Sequence, residues 1–296
     1  MQGARELMDQ PTDDSKSDRG GVRRLALCVD DFGLHAGVNR AVWRLAELGR
    51  LNAVSCMVGA PAWADAAASI GQLDHDRIDF GLHLDLTETP LDPRARWPLP
   101  RLIVGCYAQR LDRELLRTEI EAQLDAFERQ SGQVPDYVDG HQHVHQLPVV
   151  RDLLLDSLQR RYARRLPWLR STVSGVAGTS WRRAFKPRVI ELLGAGALRR
   201  LAQPRGHRLN RHLLGVHDFQ ADAASYRELL HGWLQNARDG DLLMCHPSTI
   251  TNANDPLLRS RTSELQVLGD DSFEPALARA GIRLAPISKT MAGATA

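Results

Sequence analysis

The chain has 296 residues, 43% hydrophobic and 25% charged, which suffices for a large buried core and excludes whole-chain disorder, collagen-like repeats and coiled coil. Its 38 Lys and Arg nearly balance 36 Asp and Glu, and a net charge of +2 excludes a dedicated nucleic-acid binder. The four cysteines (Cys28, Cys56, Cys106, Cys245) form no C-x-x-C pair, which excludes a disulfide scaffold or a cysteine zinc site and fits a reducing compartment.

The polar start, Met1 to Gly21, carries Asp9, Asp13, Asp14 and Asp18 and lacks the apolar run of a secretory signal. No stretch approaches the roughly 18 apolar residues of a membrane span. The expectation is a cytoplasmic protein with a disordered tail over 1–22, one domain over 23–288 and a flexible tail over 289–296.

Arg24 to Val29 is a short apolar run, read as a buried strand ending at Asp30-Asp31. Val38, Ala41, Val42, Leu45 and Leu48 follow at helical spacing, and Gly49 closes that helix. Ala53 to Val58 is a second strand, Pro61 opens an alanine-rich helix, and Ile78 to Leu86 is a third strand. A loop over Thr87 to Gly105 precedes a long helix with Leu111, Leu115, Leu116, Ile120, Leu124 and Phe127 on one face. Asp136 to Gly140 is a short strand leading into His141, and Val149 to Tyr162 a helix. An irregular arginine-rich region comes next. A helix around Tyr226 to Leu234, a strand over Asp241 to Cys245, two helices and a strand over Ile282 to Ile287 complete the chain. This alternation predicts an α/β fold of mainly parallel strands. A distorted, TIM-barrel-like (β/α) barrel is the first choice and an open doubly wound sheet the second. No glycine-rich dinucleotide fingerprint follows the first strand, where Asp30-Asp31-Phe32-Gly33 stands.

Four polar clusters fall at predicted strand ends: Asp30-Asp31, His83, Asp139 with His141, His143 and His145, and His246 before Pro247. Each has a bland reading, as a helix cap, a core histidine, a solvated stretch or loop punctuation. In a parallel α/β fold, however, strand C-termini share one rim, where such folds build their sites. Four strands delivering Asp and His to one rim is poorly explained by packing. On a continuing strand, His141, His143 and His145 would share one face. Mixed imidazole and carboxylate ligands suit Zn²⁺, Co²⁺, Mn²⁺ or Fe²⁺, with Mg²⁺ also open. One Asp and two His leave positions for water and substrate, and the second carboxylate of the pair is free to act as a base.

In order, Val29-Asp30-Asp31-Phe32-Gly33-Leu34, Gly81-Leu82-His83-Leu84-Asp85, Asp139-Gly140-His141-Gln142-His143-Val144-His145 and Met244-Cys245-His246-Pro247 resemble the motifs of the ChbG/HpnK, or YdjC-like, carbohydrate deacetylases. Arg261 and Glu264-Leu265 are similar to that family's late Arg-x-x-Glu-Leu element, and the resemblance runs from about residue 23 to 287. It implies a distorted (β/α) barrel that removes the N-acetyl group from an amino sugar, in an N-acetylglucosamine-containing oligosaccharide or glycolipid, with one divalent ion (Mg, Zn, Co or Mn). By position, Asp31, His83 and His141 would hold the ion, Asp30 would be the base and His246 would assist the leaving group. His143, His145 and Arg261 would contact substrate. Cys28-Val29 replaces the Asn-Ala of many relatives and Ser248 the usual Gly, changes that bear on substrate choice more than on activity.

Two other functions compete: another metal-dependent amidohydrolase or phosphoesterase, and a non-catalytic anion or nucleic-acid binder. The second is suggested by Leu158 to Arg211, where thirteen Arg and one Lys face only Glu191, a net +13. That stretch interleaves few aromatics, so no nucleic-acid partner is expected. An anionic lipid- or phosphate-linked sugar, peripheral contact with a membrane surface and a homodimer are all compatible with the sequence.

Overall fold

The computed structural model describes residues 21–175, 181–250 and 254–290, without the side chains of 181–184. Most of the expected 1–22 tail and residues 291–296 lie outside the described residues. Strands β1 (Arg23–Phe32), β2 (Ala53–Cys56), β3 (Asp79–Leu84), β4 (Tyr137–Gly140), β5 (Trp168–Leu169), β6 (Leu213–Leu214), β7 (Asp241–Cys245) and β8 (Ile282–Leu284) form one sheet. Its order is β5-β4-β3-β2-β1-β7-β6, every pairing is parallel, and β8 pairs with the start of β1. Parallel bridges at Leu169–Leu209 and Ser174–Leu213 join the two ends of this path, so the sheet curls into the expected distorted (β/α) barrel.

Side-chain alternation sorts the strands into an inner and an outer face. Ala26, Cys28, Ala53, Tyr137, Trp168, Leu242 and Met244 pack together inside the barrel. Leu25, Leu27, Val29, Val54, Val138, Leu169 and Leu243 turn outward onto the helices. The helices α1 (Ala36–Glu47), α2 (Trp63–Ala67), α3 (Leu99–Tyr107), α4 (Arg113–Ser131) and α5 (Val150–Arg161) follow the first four strands. Then come α6 (Trp181–Leu192), α7 (Ala195–Ala202), α8 (Ala223–Asn236), α9 (Leu258–Leu268), α10 (Phe273–Arg279) and α11 (Ile287–Thr290). On α4, Leu116, Ile120, Leu124 and Phe127 are buried as the spacing predicts, with Asp112 capping the start and Gly132 (φ 74) ending the helix. Ile287 of α11 closes the floor of the barrel.

Three expectations are corrected. The loop over Thr87 to Gly105 contains the start of α3, because prolines 98 and 100 preset the first helical turn. The described part of the arginine-rich region is not all irregular but holds β5, α6 and α7, with β6 just after it. Strand Ile282 to Ile287 stops at Leu284, and Ile287 begins α11.

Gly81 shows how tightly the interior is filled. A Cβ there would lie 2.5 Å from atoms of the Tyr137 ring, which stacks on Trp168 at 4.1 Å between centroids. The Tyr137 hydroxyl is in turn hydrogen-bonded to Ser55 at 2.7 Å, so the ring cannot simply withdraw. Gly81→Ala should cost about 1–3 kcal/mol through overpacking. A urea midpoint equal to that of the parent would show that the ring has room.

Candidate active site

The upper layer of the barrel interior is polar. Continuing the inward alternation past Cys28, Ala53, Gly81, Tyr137, Trp168 and Met244 leads to Asp30, Ser55, His83, Asp139, Arg170 and His246. Register confirms the layer, with His83 opposite Asp139 and the Arg170 amide bonded to the Val138 carbonyl. Asp31 breaks the alternation. It would point outward on a regular strand, but the β1–β2 pairing shifts register between Val29 and Phe32, and Asp31 has φ 68. This bulge turns two consecutive carboxylates to the same rim.

Arg170 organises one half of the site. It is fully buried, and its Nη1 and Nη2 donate to the two oxygens of Asp30, each at 2.6 Å. Nη2 also lies 2.7 Å from Asp139 Oδ2, 3.0 Å from Cys28 Sγ and 3.1 Å from Ser55 Oγ. Burial alone would raise the Asp30 carboxyl, but the guanidinium outweighs it and holds the group well below the usual carboxylate range. Asp139 is held down in the same way.

The other half is a triad. Asp31 Oδ1 lies 3.5 Å from His83 Nε2 and 3.2 Å from His141 Nδ1, while Asp31 Oδ2 is occupied by Arg261 Nη2 at 2.7 Å. His83 Nδ1 is 2.7 Å from Asp139 Oδ1, which leaves Nε2 directed at Asp31. His141 Nε2 faces Glu88 Oε1 at 3.3 Å without hydrogen-bond geometry. Burial lowers both imidazoles, yet Asp139 raises His83 and Asp31 with Glu88 raises His141 well above the ordinary value.

Among the described residues, two carboxylate–histidine groups are close enough to hold a cation, Asp31–His83–His141 and Asp30–His83–Asp139. The second is saturated: both Asp30 oxygens serve Arg170, and Asp139 serves His83, Ser55 and Arg170. A cation there would also face the guanidinium. The first group fits better, since its three ligand atoms converge and His83 is oriented from behind by a carboxylate, as metal-bound histidines usually are.

His246 follows β7 with Nε2 3.8 Å from Asp30 Oδ2, and its Nδ1 is buried without a partner. Glu264 grips its backbone amide at 2.6 Å and His217 Nε2 at 3.1 Å, and Phe219 meets its ring edge-on at 5.0 Å between centroids. The three histidines of the 141–145 motif do not share one face. Past Gly140 the chain leaves the strand for a 3₁₀ turn, with Gln142 and His143 at φ 52 and 62. His143 Nδ1 is buried without a partner. His145 is fully buried, pushed down to about 4 by burial, and its Nε2 is spent on the Arg170 carbonyl at 2.9 Å. Arg261 is likewise committed, to Asp31 and to Asp255 at 2.9 Å.

A family model described as YdjC-like protein matches residues 24–279, nearly the whole chain. The chain belongs to the YdjC-like family. Among YdjC-like relatives, the carbohydrate deacetylase of Homo sapiens is 32% identical over 53% of this chain and 51% of its own length. The chain thus spans about half the length of the human and mouse relatives it matches. The carbohydrate deacetylase of Geobacillus stearothermophilus is 26% identical over 86% of this chain and 93% of its own. The chitooligosaccharide deacetylase of Enterobacter sp. (strain 638) is 25% identical over 88% and 96%. A solved structure from Enterococcus faecalis V583, named for cellobiose-phosphate cleavage, covers 90% of this chain and 98% of its own with a TM-score of 0.62 and 20% identity, a likeness of fold.

Arg170, Glu88 and His217 join the site without having been singled out by the sequence, while Asp139 and Glu264, noted there without an assigned role, orient His83 and His246. Of the arginine-rich stretch, Arg160 and Arg161 pair with Glu121, Asp125 and Glu128 on α4 at 2.6–3.0 Å, and Arg165 pairs with Asp136 at 3.0 Å. Their charge is met within the fold. Among the described residues, no helix is long and apolar enough to cross a membrane.

Proposed function

We propose that the protein hydrolyses the N-acetyl group of an amino sugar, giving acetate and a free amine, with Asp31, His83 and His141 holding one divalent ion. The observation that carries this reading is the division of one rim into a converging Asp–His–His triad and a separate Asp30–His246 pair 3.8 Å apart. The names of the relatives, carbohydrate and chitooligosaccharide deacetylase, support a carbohydrate substrate. The substrate we propose is an N-acetylglucosamine-containing oligosaccharide or glycolipid.

The ion would polarise the acetyl carbonyl and make water more acidic. Asp30, ionised at any working pH and fixed by the two Arg170 bonds, accepts a proton from the attacking water as the C–O bond forms. The C–N bond then breaks, and the proton passes by way of His246 to the departing nitrogen. Burial lowers the basicity of His246, so the imidazole gives up a proton readily once it has received one. His143, with an uncommitted Nδ1, is the substrate contact. His145 and Arg261 act behind the site, setting the Arg170 carbonyl and the Asp31 carboxylate.

The test is acetate release from chitooligosaccharides with Mg²⁺, Zn²⁺, Co²⁺ or Mn²⁺ added, with phosphate release from sugar phosphates as the rival readout. Asp31→Ala, His83→Ala and His141→Ala should each lose bound metal by elemental analysis and lose activity while their circular dichroism stays native. Full metal occupancy in all three variants would rule out this ligand set.

A further inference from the structure

Among the described residues, α6 carries three exposed large apolar side chains outside the site. Phe185, Val189 and Leu192 recur at i, i+4 and i+7, so they form one stripe, and Leu192 is 81% and Phe185 65% exposed. The exposed Leu201 belongs to α7, which packs against α6. The opposite side of α6 faces the protein, with Pro187 buried and Ile190 packed against the barrel interior. In sequence, residues 181–211 carry eight Arg and one Lys against Glu191; of these, Arg205 meets Asp156 of α5 at 3.5 Å and Arg199 bonds the Arg211 carbonyl at 2.6 Å within the fold. Arg188 and Arg200 point to solvent, and the acid that Arg188 meets, at 3.3 Å, is Glu191 on its own helix.

An exposed apolar ridge with basic flanks is the pattern of a helix lying in a lipid interface. Charge decides between occupants. A two-fold contact with a second copy would bring this basic face against itself, whereas an anionic bilayer complements it.

The inner side of α6 touches both halves of the catalytic rim. Gln146, at the end of the histidine turn, donates to the Ile190 carbonyl at 2.8 Å. Lys186 Nζ donates to the His217 carbonyl at 2.7 Å and sits 4.6 Å from the centroid of the Phe219 ring, the ring that meets His246. We propose that α6 and α7 form a peripheral docking face for an anionic lipid surface, holding the catalytic rim beside it. The identity of the sugar substrate rests on the deacetylase reading above; the docking does not.

Full-length protein is sedimented with vesicles of phosphatidylcholine alone or mixed with phosphatidylglycerol, at low and high salt. Binding is expected on the mixed vesicles, weakening as salt rises. Phe185→Ser combined with Leu192→Ser should lower that affinity roughly tenfold or more, and Arg200→Gln should weaken it on mixed vesicles alone. Acetate release from a soluble chitooligosaccharide should stay unchanged in these variants. No binding to mixed vesicles, or equal binding by the double variant, overturns the proposal. So does a parent dimer that the double variant splits into monomers, since the face would then belong to a second copy. Vesicle binding without acetate release would leave docking intact and remove the deacetylase reading; acetate release without vesicle binding would do the reverse.

Discussion

Arg170→Met is expected to destabilise the protein by about 3–5 kcal/mol at neutral pH, the usual cost of removing one partner from a buried ionic cluster. For a domain of this size that lowers the melting temperature by on the order of 10 °C. Methionine fills similar space, so the loss is mainly electrostatic: Asp30 and Asp139 stay inside the barrel without their cation. The pH dependence separates charge from packing. In the native protein Arg170 outweighs burial and depresses both carboxyls, which contribute stability above the ordinary Asp value of about 4 and lose it as pH falls towards their lower native values. In the variant burial is opposed only by the histidines, His83 at both carboxyls and His246 at Asp30, and the carboxyls rise from their native values. The penalty on their ionised forms is then relieved as pH falls through the raised value. The gap between parent and variant should be widest near neutrality and narrow towards pH 5. A gap that does not change with pH would assign the loss to packing.

Asp30→Asn is expected to lower kcat by ~10²–10⁴, or about 3–5 kcal/mol of barrier, as removal of a general base does. The change is nearly isosteric, and one side-chain oxygen can still accept from Arg170. Asp31, His83 and His141 are untouched, so bound metal should remain near one equivalent by elemental analysis, and circular dichroism should stay native. Near-normal turnover with metal present would make Asp30 a structural counter-ion of Arg170 and move the base elsewhere.

The strand-end reading found most of the rim because period two is visible in residues alone. Ala26, Cys28 and Asp30 run down one face of β1, and Leu242, Met244 and His246 follow the same rule from β7. Arg170 was illegible for two reasons. It follows a strand of only two residues, too short to show a period, and it lies among thirteen arginines whose summed charge pointed to an outside partner. Its real partners, Asp30 and Asp139, come from strands far away in sequence. His145 misled in the opposite direction, since alternation assumes a straight strand and the chain turns at Gly140. The α3 helix was hidden by a Pro- and Arg-rich composition that reads as loop, although its prolines sit where a helix can begin.

The bulge at Asp31 has a consequence for how this protein can vary. Loops at the end of a barrel strand usually absorb insertions and deletions, which is how such folds acquire new activities. Here the two carboxylates are neighbours, and the second is itself the irregular residue whose backbone turns it to the rim. Removing one residue between Val29 and Phe32 would restore regular pairing but would delete one of the two carboxylates, since Asp30 and Asp31 are all that lies there. Adding one would displace a carboxylate from the partners it now meets, Arg170 for Asp30 or His83 and His141 for Asp31. Of all the junctions on this rim, the first is therefore the least free to change in length, and diversification of substrate choice is confined to the later loops.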